Sequence, residues 1–299
     1  MQQLIVIEGP TASGKTSLAV ALAKALNTVI LSADSRQFYK ELSIGTAKPS
    51  LEEMEGVPHY FINSHPVSSP VSAAQFESEA MKLICGELAH HPQLVLVGGS
   101  GMFIDALCIG LDPIPTDPEI QNTLRQELEE KGINPLLQEL EEKDPEFYQQ
   151  VDKQNPMRVL RALEVIRLTD VPFSKWRKNE LPERPFEVIR FVINHPREIL
   201  YERINRRVDL MMEAGLIDEV KHVSEYRNLT ALQTVGYKEV FEYLDGDTDL
   251  ETCISKIKQH TRNYAKRQLT WFKRHANTIW LDAKSTNELC EEILQVVRI

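Results

Sequence analysis

The stretch LIVIEGPTASGKTSLAVALAKAL, residues 4–26, constrains the fold more than any other part of the chain. An apolar run, a glycine-rich turn and a helical pattern follow one another without a break, with Leu18, Ala21, Leu22, Ala25 and Leu26 on the helical period. Inside it, GPTASGKT fits G-x-x-x-x-G-K-[ST], with Gly9, Gly14, Lys15 and Thr16 in the defining places. The glycines let successive backbone N–H groups turn inward on phosphate oxygens, Lys15 neutralises charge and Thr16 can offer a hydroxyl to Mg²⁺. The helix that follows adds the positive end of its dipole. Such a cradle reads a di- or triphosphate and is indifferent to a base.

Further strand signals come at TVILSADSRQFY, LVLVGGSGMF, FEVIRFVIN and NTIWLDA, with a helix expected near Ala73–Leu88. Strands alternating with helices predict an α/β fold, a parallel sheet covered on both faces. At LDPIPTDPEI the texture changes to helices without strand signals, until LPERPF marks a second proline-rich boundary. The parse is a P-loop core over residues 1–111 and 185–299, interrupted by an all-helical insert over 112–184.

The 299 residues carry a formal net charge of -10, which argues against a general nucleic-acid binder, but the charge is unevenly spread. Residues 117–146 hold ten acidic against three basic side chains, which reads as a solvated helix face. Residues 153–178, ending at Lys178, hold seven basic against two acidic, and residues 258–275 hold six basic and no acidic ones. The four cysteines share no close spacing and read as core thiols of a reducing compartment. Met1 runs directly into an apolar strand and no apolar run reaches about 18 residues, so a cytoplasmic protein with no membrane partner, monomeric, is expected.

Four stretches carry chemistry. The strand LVLV ends in Gly98-Gly99-Ser100-Gly101, where a kinase or hydrolase would place a carboxylate to hold Mg²⁺. Those glycines read either as a bare turn or as a close approach to a ligand. Asp34, just after the second strand, stands where ligands of doubly wound sheets bind; it could take a proton, hold Mg²⁺ or cap the next helix. LYERINRRVDLMMEAGLIDEV carries Arg203, Arg206 and Arg207, either solvated or aimed at a leaving phosphate. KQHTRNYAKRQLTWFKRH interleaves bases with Tyr264, Trp271 and Phe272; Leu269 and Phe272 suit a core while the bases suit a phosphate backbone.

Together GPTASGKT, SADSRQFY, IGTAKPS, GVPHYF, VGGSGMF, NPMRVLRALEV, LYERINRRVDLMMEAGLIDEV, QTVGYKEV and KRQLTWFKR run in order over nearly the whole chain. The set resembles the tRNA dimethylallyltransferases, also called tRNA isopentenyltransferases. The resemblance implies an adenylate-kinase-like P-loop core with an inserted helical domain. It implies dimethylallyl diphosphate as donor and, as acceptor, N6 of the adenosine immediately 3′ of the anticodon in a tRNA stem-loop. With no γ-phosphate to transfer, the carboxylate missing after LVLV is not needed.

Carried onto matching positions, Asp34 would accept the N6 proton and Arg207 would stabilise departing pyrophosphate. Gly9, Thr11, Ala12, Ser13, Gly14, Lys15 and Thr16 would hold the diphosphate, with Mg²⁺ on Thr16. Ser100 stands where the family has threonine and keeps its hydroxyl near the reacting groups; Phe103 stands where tyrosine is usual and loses one. For the tRNA, the resemblance points to Asp34, Ser35, Arg36 and Gln37, with Ser100, and to Met157, Arg158, Val159, Leu160 and Arg161. It adds Gln233, Thr234, Val235, Gly236, Tyr237 and Lys238, and on the last basic stretch Lys266, Arg267, Gln268, Trp271 and Lys273. Three other readings share these residues: a P-loop small-molecule kinase, an adenylate isopentenyltransferase and a non-catalytic RNA-binding module.

Overall fold

The computed structural model describes residues 1–177 and 182–297. By chain contacts it divides into two compact units, Met1–Cys108 with Arg184–Ile299, and Ile109–Glu183.

The first unit opens with β1 (Gln2–Glu8), α1 (Lys15–Leu26), β2 (Ile30–Ser32), the short α2 (Leu51–Met54) and β3 (His59–Tyr60). Next come α3 (Ala73–Cys85), β4 (Gln93–Gly98) and α4 (Gly101–Cys108). The second unit contributes α5 (Pro118–Lys131), α6 (Asn134–Lys143), α7 (Pro145–Gln150) and α8 (Pro156–Thr169). The first unit resumes with β5 (Phe186–Asn194), α9 (Arg197–Glu213), α10 (Leu216–His222), α11 (Tyr237–Leu244), α12 (Leu250–Phe272), β6 (Ile279–Asp282) and α13 (Thr286–Val297).

Six strands of the described residues form one sheet in the order β3-β2-β4-β1-β5-β6, with every pairing parallel. β1 lies at its centre, paired with β4 on one side and β5 on the other, and Leu4, Ile5, Val6 and Ile7 are fully buried. A strand covered on both faces has no solvent side, which is why its sequence is a continuous apolar run. One face packs Leu18 and Leu22 of α1 and Ile293 of α13 against Ile5, Ile7, Val95 and Phe191. β3 is absent from the sequence expectation, because two residues of half-buried His-Tyr carry no period-2 signal.

The carboxyl ends of β1, β2 and β4 are neighbours, so Glu8–Gly9, Ser32–Asp34 and Gly98–Gly99 meet at one edge of the sheet. That is where open parallel sheets bind ligands. Beside it, Phe38, Phe61, Phe76 and Phe103 form an aromatic cluster with ring centroids 4.9–6.2 Å apart. Phe103, which stands where tyrosine is expected, is buried there with its ring 5.5 Å from that of Phe38 and 5.6 Å from that of Phe76.

The helical unit closes around Leu124, Leu140, Phe147, Val159, Leu163 and Phe173. Its acidic stretch is not simply a solvated face. Asp144 is buried and accepts from the Phe147 N–H and the Ser174 hydroxyl. Arg167 forks onto Glu127 and Glu139 at 2.6–2.8 Å, and these bonds raise its pKa further. Arg167 thus takes up Glu127 and Glu139 from the acidic tract, while Glu119, Glu129, Glu130, Glu141, Glu142 and Glu146 are exposed, as a solvated face would be. Lys178, the last base counted in the sequence tract, lies outside the described residues.

Candidate active site

The loop between β1 and α1 is wound around phosphate-sized space by its own backbone. Ala12 and Gly14 both take left-handed conformations, with φ of 65° and 91°; glycine adopts this freely and alanine only when held. The holding is visible. Arg203 Nε of α9 donates to the Ala12 carbonyl at 2.7 Å, and His195 Nε2 to that of Ser13 at 2.8 Å. Since a carbonyl only accepts, Nε2 of His195 carries the proton. The Thr11 N–H donates to Gln268 Oε1 at 2.9 Å.

Lys15 Nζ rests on the Pro10 carbonyl at 2.8 Å. Burial first, and then the Arg207 charge, lowers its pKa to about 7 against an opposing pull from Asp34. The same crowding lowers Arg207, chiefly by burial and then by the Arg203 charge. Lys15 and Arg207 thus bring positive charge to one place, partly offset by Asp34 and Glu53, and such a place favours an anion.

A cavity of about 210 Å³ opens over this loop. Thr11, Lys15 and Thr16 line one end, and Asp34, Ser35, Arg36 and Gln37 line a second wall. Gly45, Thr46 and Ala47 lie beside the latter, and Gly98 and Gly99 bring in the end of β4. Arg207, Val208 and Met211 come from α9; Ile257, Thr261, Tyr264 and Gln268 from α12; Thr234, Val235 and Gly236 from the turn before α11. Asp34, which lines the cavity, accepts the Arg36 N–H on Oδ1 at 3.0 Å in a local turn. Tyr264, half-buried near Asp34, has its phenol pushed up by desolvation and then by that carboxylate.

Other sequence-assigned residues sit elsewhere. Gly98, Gly99 and Gly101 serve the chain's own packing. A Cβ at Gly98 would overlap the Ala33 carbonyl, at Gly99 the Gln268 amide, and at Gly101 the Trp271 ring. Close approach there is to the protein itself as well as to any ligand. Ser100 caps the start of α4 through its carbonyl, which accepts from Phe103 and Ile104, and the cavity wall at this turn is Gly98 and Gly99.

The tRNA assignments divide by exposure. Gln268 is buried and lines the cavity, its Nε2 donating to the Gly99 carbonyl at 2.8 Å, so it braces the site. Tyr237 is fully buried and its hydroxyl donates to Glu219 at 2.6 Å. Trp271 is half-buried, its Nε1 donating to Asp105 at 2.7 Å while Arg274 lies over its ring. Lys266, Arg267 and Lys273 are exposed along α12, and Gln233 and Lys238 are exposed before and at the start of α11.

In the helical unit Met157 and Arg158 are exposed at the start of α8. Val159 and Leu160 are buried in that unit's core. Arg161 is spent on Glu164 at 2.7 Å and on the carbonyls of Ile114 and Pro115. A helix turns one face to its core, so of these five residues the exposed side chains are Met157 and Arg158. Of the cysteines, Cys85 is exposed, against the expectation of core thiols throughout, and the other three are buried.

Residues 37–275, most of the chain though not the P-loop itself, match the family described as IPP transferase. The tRNA dimethylallyltransferase of Cytophaga hutchinsonii is 47% identical, over 96% of this chain and 94% of its own length. The chain belongs to this family. The tRNA dimethylallyltransferase 1 of Bacteroides thetaiotaomicron is 46% identical over 97% of the chain and 95% of its own. Among solved structures, the full-length tRNA isopentenylpyrophosphate transferase of Bacillus halodurans superposes with a TM-score of 0.73 at 37% identity, covering 100% of this chain and 96% of its own. A eukaryotic dimethylallyltransferase acting on tRNA gives 0.82 at 26% identity, covering 100% of this chain and 79% of its own. The loop 43–47 overlaps the IGTAKPS landmark, residues 44–50. The sequence reading assigned it no site residue, yet it lines the cavity.

Among the described residues no helix is long and apolar enough to cross a membrane, and no cluster of three or more His, Cys, Asp and Glu is placed to hold a metal ion.

Proposed function

We propose that the protein transfers a dimethylallyl group from dimethylallyl diphosphate to N6 of the adenosine immediately 3′ of a tRNA anticodon, releasing pyrophosphate. The observation that carries this reading is the placing of Lys15, Thr16 and Arg207 in one cavity with Asp34. A cationic phosphate cradle and a carboxylate thus face the same space. In the reaction, N6 forms a bond to C1 of the dimethylallyl group as the C1–O bond to diphosphate breaks, and the N6 proton passes to the Asp34 carboxylate. Lys15, Arg207 and the loop N–H groups take up the negative charge that gathers on the departing pyrophosphate.

Mg²⁺ fits the donors present. Thr16 supplies a hard oxygen in the cavity, and a magnesium ion takes most of its ligands from phosphate and water. Bound there, it would supply further neutralisation of the leaving group. The carboxyl end of β4 carries glycines where a kinase would hold its metal, which disfavours phosphoryl transfer.

The exposed Lys266, Arg267 and Lys273 of α12, and Met157 and Arg158 of α8, are the surfaces we assign to the tRNA anticodon stem-loop. Extracting the target base from its stack costs a few kcal/mol, which backbone contacts offset. A cytoplasmic, monomeric enzyme suits this role. The test is incubation with labelled dimethylallyl diphosphate and unmodified tRNA: label should enter the tRNA, and no incorporation into any tRNA would sink the reading.

A further inference from the structure

Three consecutive backbone amides converge on one side chain of this protein. Glu219 of α10 accepts from the N–H groups of Ser43 at 2.9 Å and Ile44 at 2.7 Å through Oε2, and from Gly45 at 2.9 Å through Oε1. Oε1 also accepts the Tyr237 hydroxyl at 2.6 Å. Successive N–H groups turned to one point form an anion nest, and here the chain fills the nest with its own carboxylate. Tyr237 completes the clamp from behind: a Cβ at Gly45 would come within 2.6 Å of its ring.

The front of the same loop faces the cavity through Gly45, Thr46 and Ala47. There Gln37, three residues after Asp34, donates from Nε2 to the carbonyls of Thr46 at 3.3 Å and Ala47 at 3.2 Å. Ala47 is held left-handed, with φ of 48°, a conformation that persists only where neighbours over-determine it. The loop is therefore pinched between Gln37 in front and Glu219 with Tyr237 behind. Glu219 itself does not line the cavity.

We propose that Glu219 is a positioning residue that fixes the loop 43–47 against Gln37 and so sets the width of the acceptor side of the cavity. The proposal rests on the reading that the target base enters beside Asp34. The diphosphate end, built by the P-loop and α9, is braced separately by Arg203, His195 and Gln268. Disturbing Glu219 should thus act on the acceptor and spare the donor.

The experiment is steady-state transfer by the full chain, varying tRNA and dimethylallyl diphosphate in turn, with thermal melts to check folding. Glu219→Gln presents N–H donors to N–H donors and should raise KM for tRNA, or lower kcat, by about tenfold, leaving KM for dimethylallyl diphosphate within about twofold. Glu219→Asp should recover part of the loss. Tyr237→Phe removes one of the four bonds and should cost about threefold on the tRNA side alone. It decides the matter if Glu219→Gln does not fold. Active wild type with both variants unchanged, or with the two substrates' KM values rising in parallel, overturns the proposal. Wild-type protein that transfers nothing overturns the acceptor reading and this proposal with it.

Discussion

Gln268 Oε1 accepts the N–H of Thr11 at 2.9 Å while its Nε2 donates to the Gly99 carbonyl at 2.8 Å. One buried amide therefore ties the phosphate loop and the end of β4 to the helix whose outer face exposes Lys266, Arg267 and Lys273. Gln268→Ala should leave the buried Gly99 carbonyl and the part-buried Thr11 N–H without this partner and lower stability by about 1–2 kcal/mol. It should also weaken dimethylallyl diphosphate binding several-fold, since Thr11 loses its anchor. Gln268→Glu keeps the acceptor and loses the donor, setting a carboxylate against the Gly99 carbonyl. Its effect on stability should exceed that of alanine. Urea melts and diphosphate titrations check both, and a fully stable Gln268→Ala protein with wild-type binding contradicts the brace.

Asp34 is the carboxylate that shares the cavity with Lys15 and Thr16. Asp34→Asn retains the shape and an oxygen acceptor for the Arg36 N–H, so the loop should stay in place. What disappears is the proton acceptor, and general-base assistance is worth about a hundredfold to ten-thousandfold. Single-turnover transfer should slow by that order while tRNA affinity stays within about twofold. A variant with wild-type turnover removes Asp34 from the chemistry.

The cation at the cavity floor gives a proton signature. With its pKa brought down to about 7 by burial, Lys15 is largely neutral at pH 8 in the free protein. A diphosphate beside it favours the charged form and restores the proton. Binding of dimethylallyl diphosphate at pH 8 should take up about one proton, and at pH 6 almost none. Affinity should accordingly fall as pH rises above about 7. Calorimetry in buffers of different ionisation enthalpy measures the uptake, and Lys15→Met should abolish it. A binding enthalpy independent of buffer at pH 8 would refute the prediction.

The α/β class and the phosphate cradle were legible because both are local. A strand covered on both faces has to be apolar throughout, and GPTASGKT needs only its own glycines and lysine. Asp34 was legible by position, from the rule that ligands sit beyond strand carboxyl ends. The braces were not legible. Arg203 reaches Ala12 across 191 residues and Gln268 reaches Thr11 across 257, and no periodicity carries information over such distances. Contiguous motifs do not show which of their side chains face outward: 157–161 and 233–238 each mix exposed side chains with ones turned into a core, as any packed helix or turn must. Charge counting found the solvated face of the helical unit but not the bridge from Arg167 to Glu127 and Glu139, which forms only once the helices are side by side.

Glu8 marks a tension at the centre of the sheet. It ends β1 fully buried, with Oε1 accepting from Arg190 at 3.1 Å and Oε2 without a partner. Burial chiefly raises its pKa to about 7, with Asp105 adding to the rise and Arg190 opposing it. A carboxyl whose pKa is higher folded than unfolded binds fewer protons unfolded between about pH 4.5 and 7, so its contribution to stability falls as pH rises through that window. Glu8→Gln removes this loss together with one partner of Arg190, whose second guanidinium nitrogen still reaches Asp105 at 2.8 Å. Whatever the variant's offset at pH 4.5, its stability relative to wild type should therefore improve by pH 8, by up to roughly 3 kcal/mol. Titrating groups far from Glu8 are common to the two proteins and cancel in the difference. Paired melts across this range test it, and a difference that is flat or slopes the other way would show that Arg190 keeps Glu8 ionised throughout.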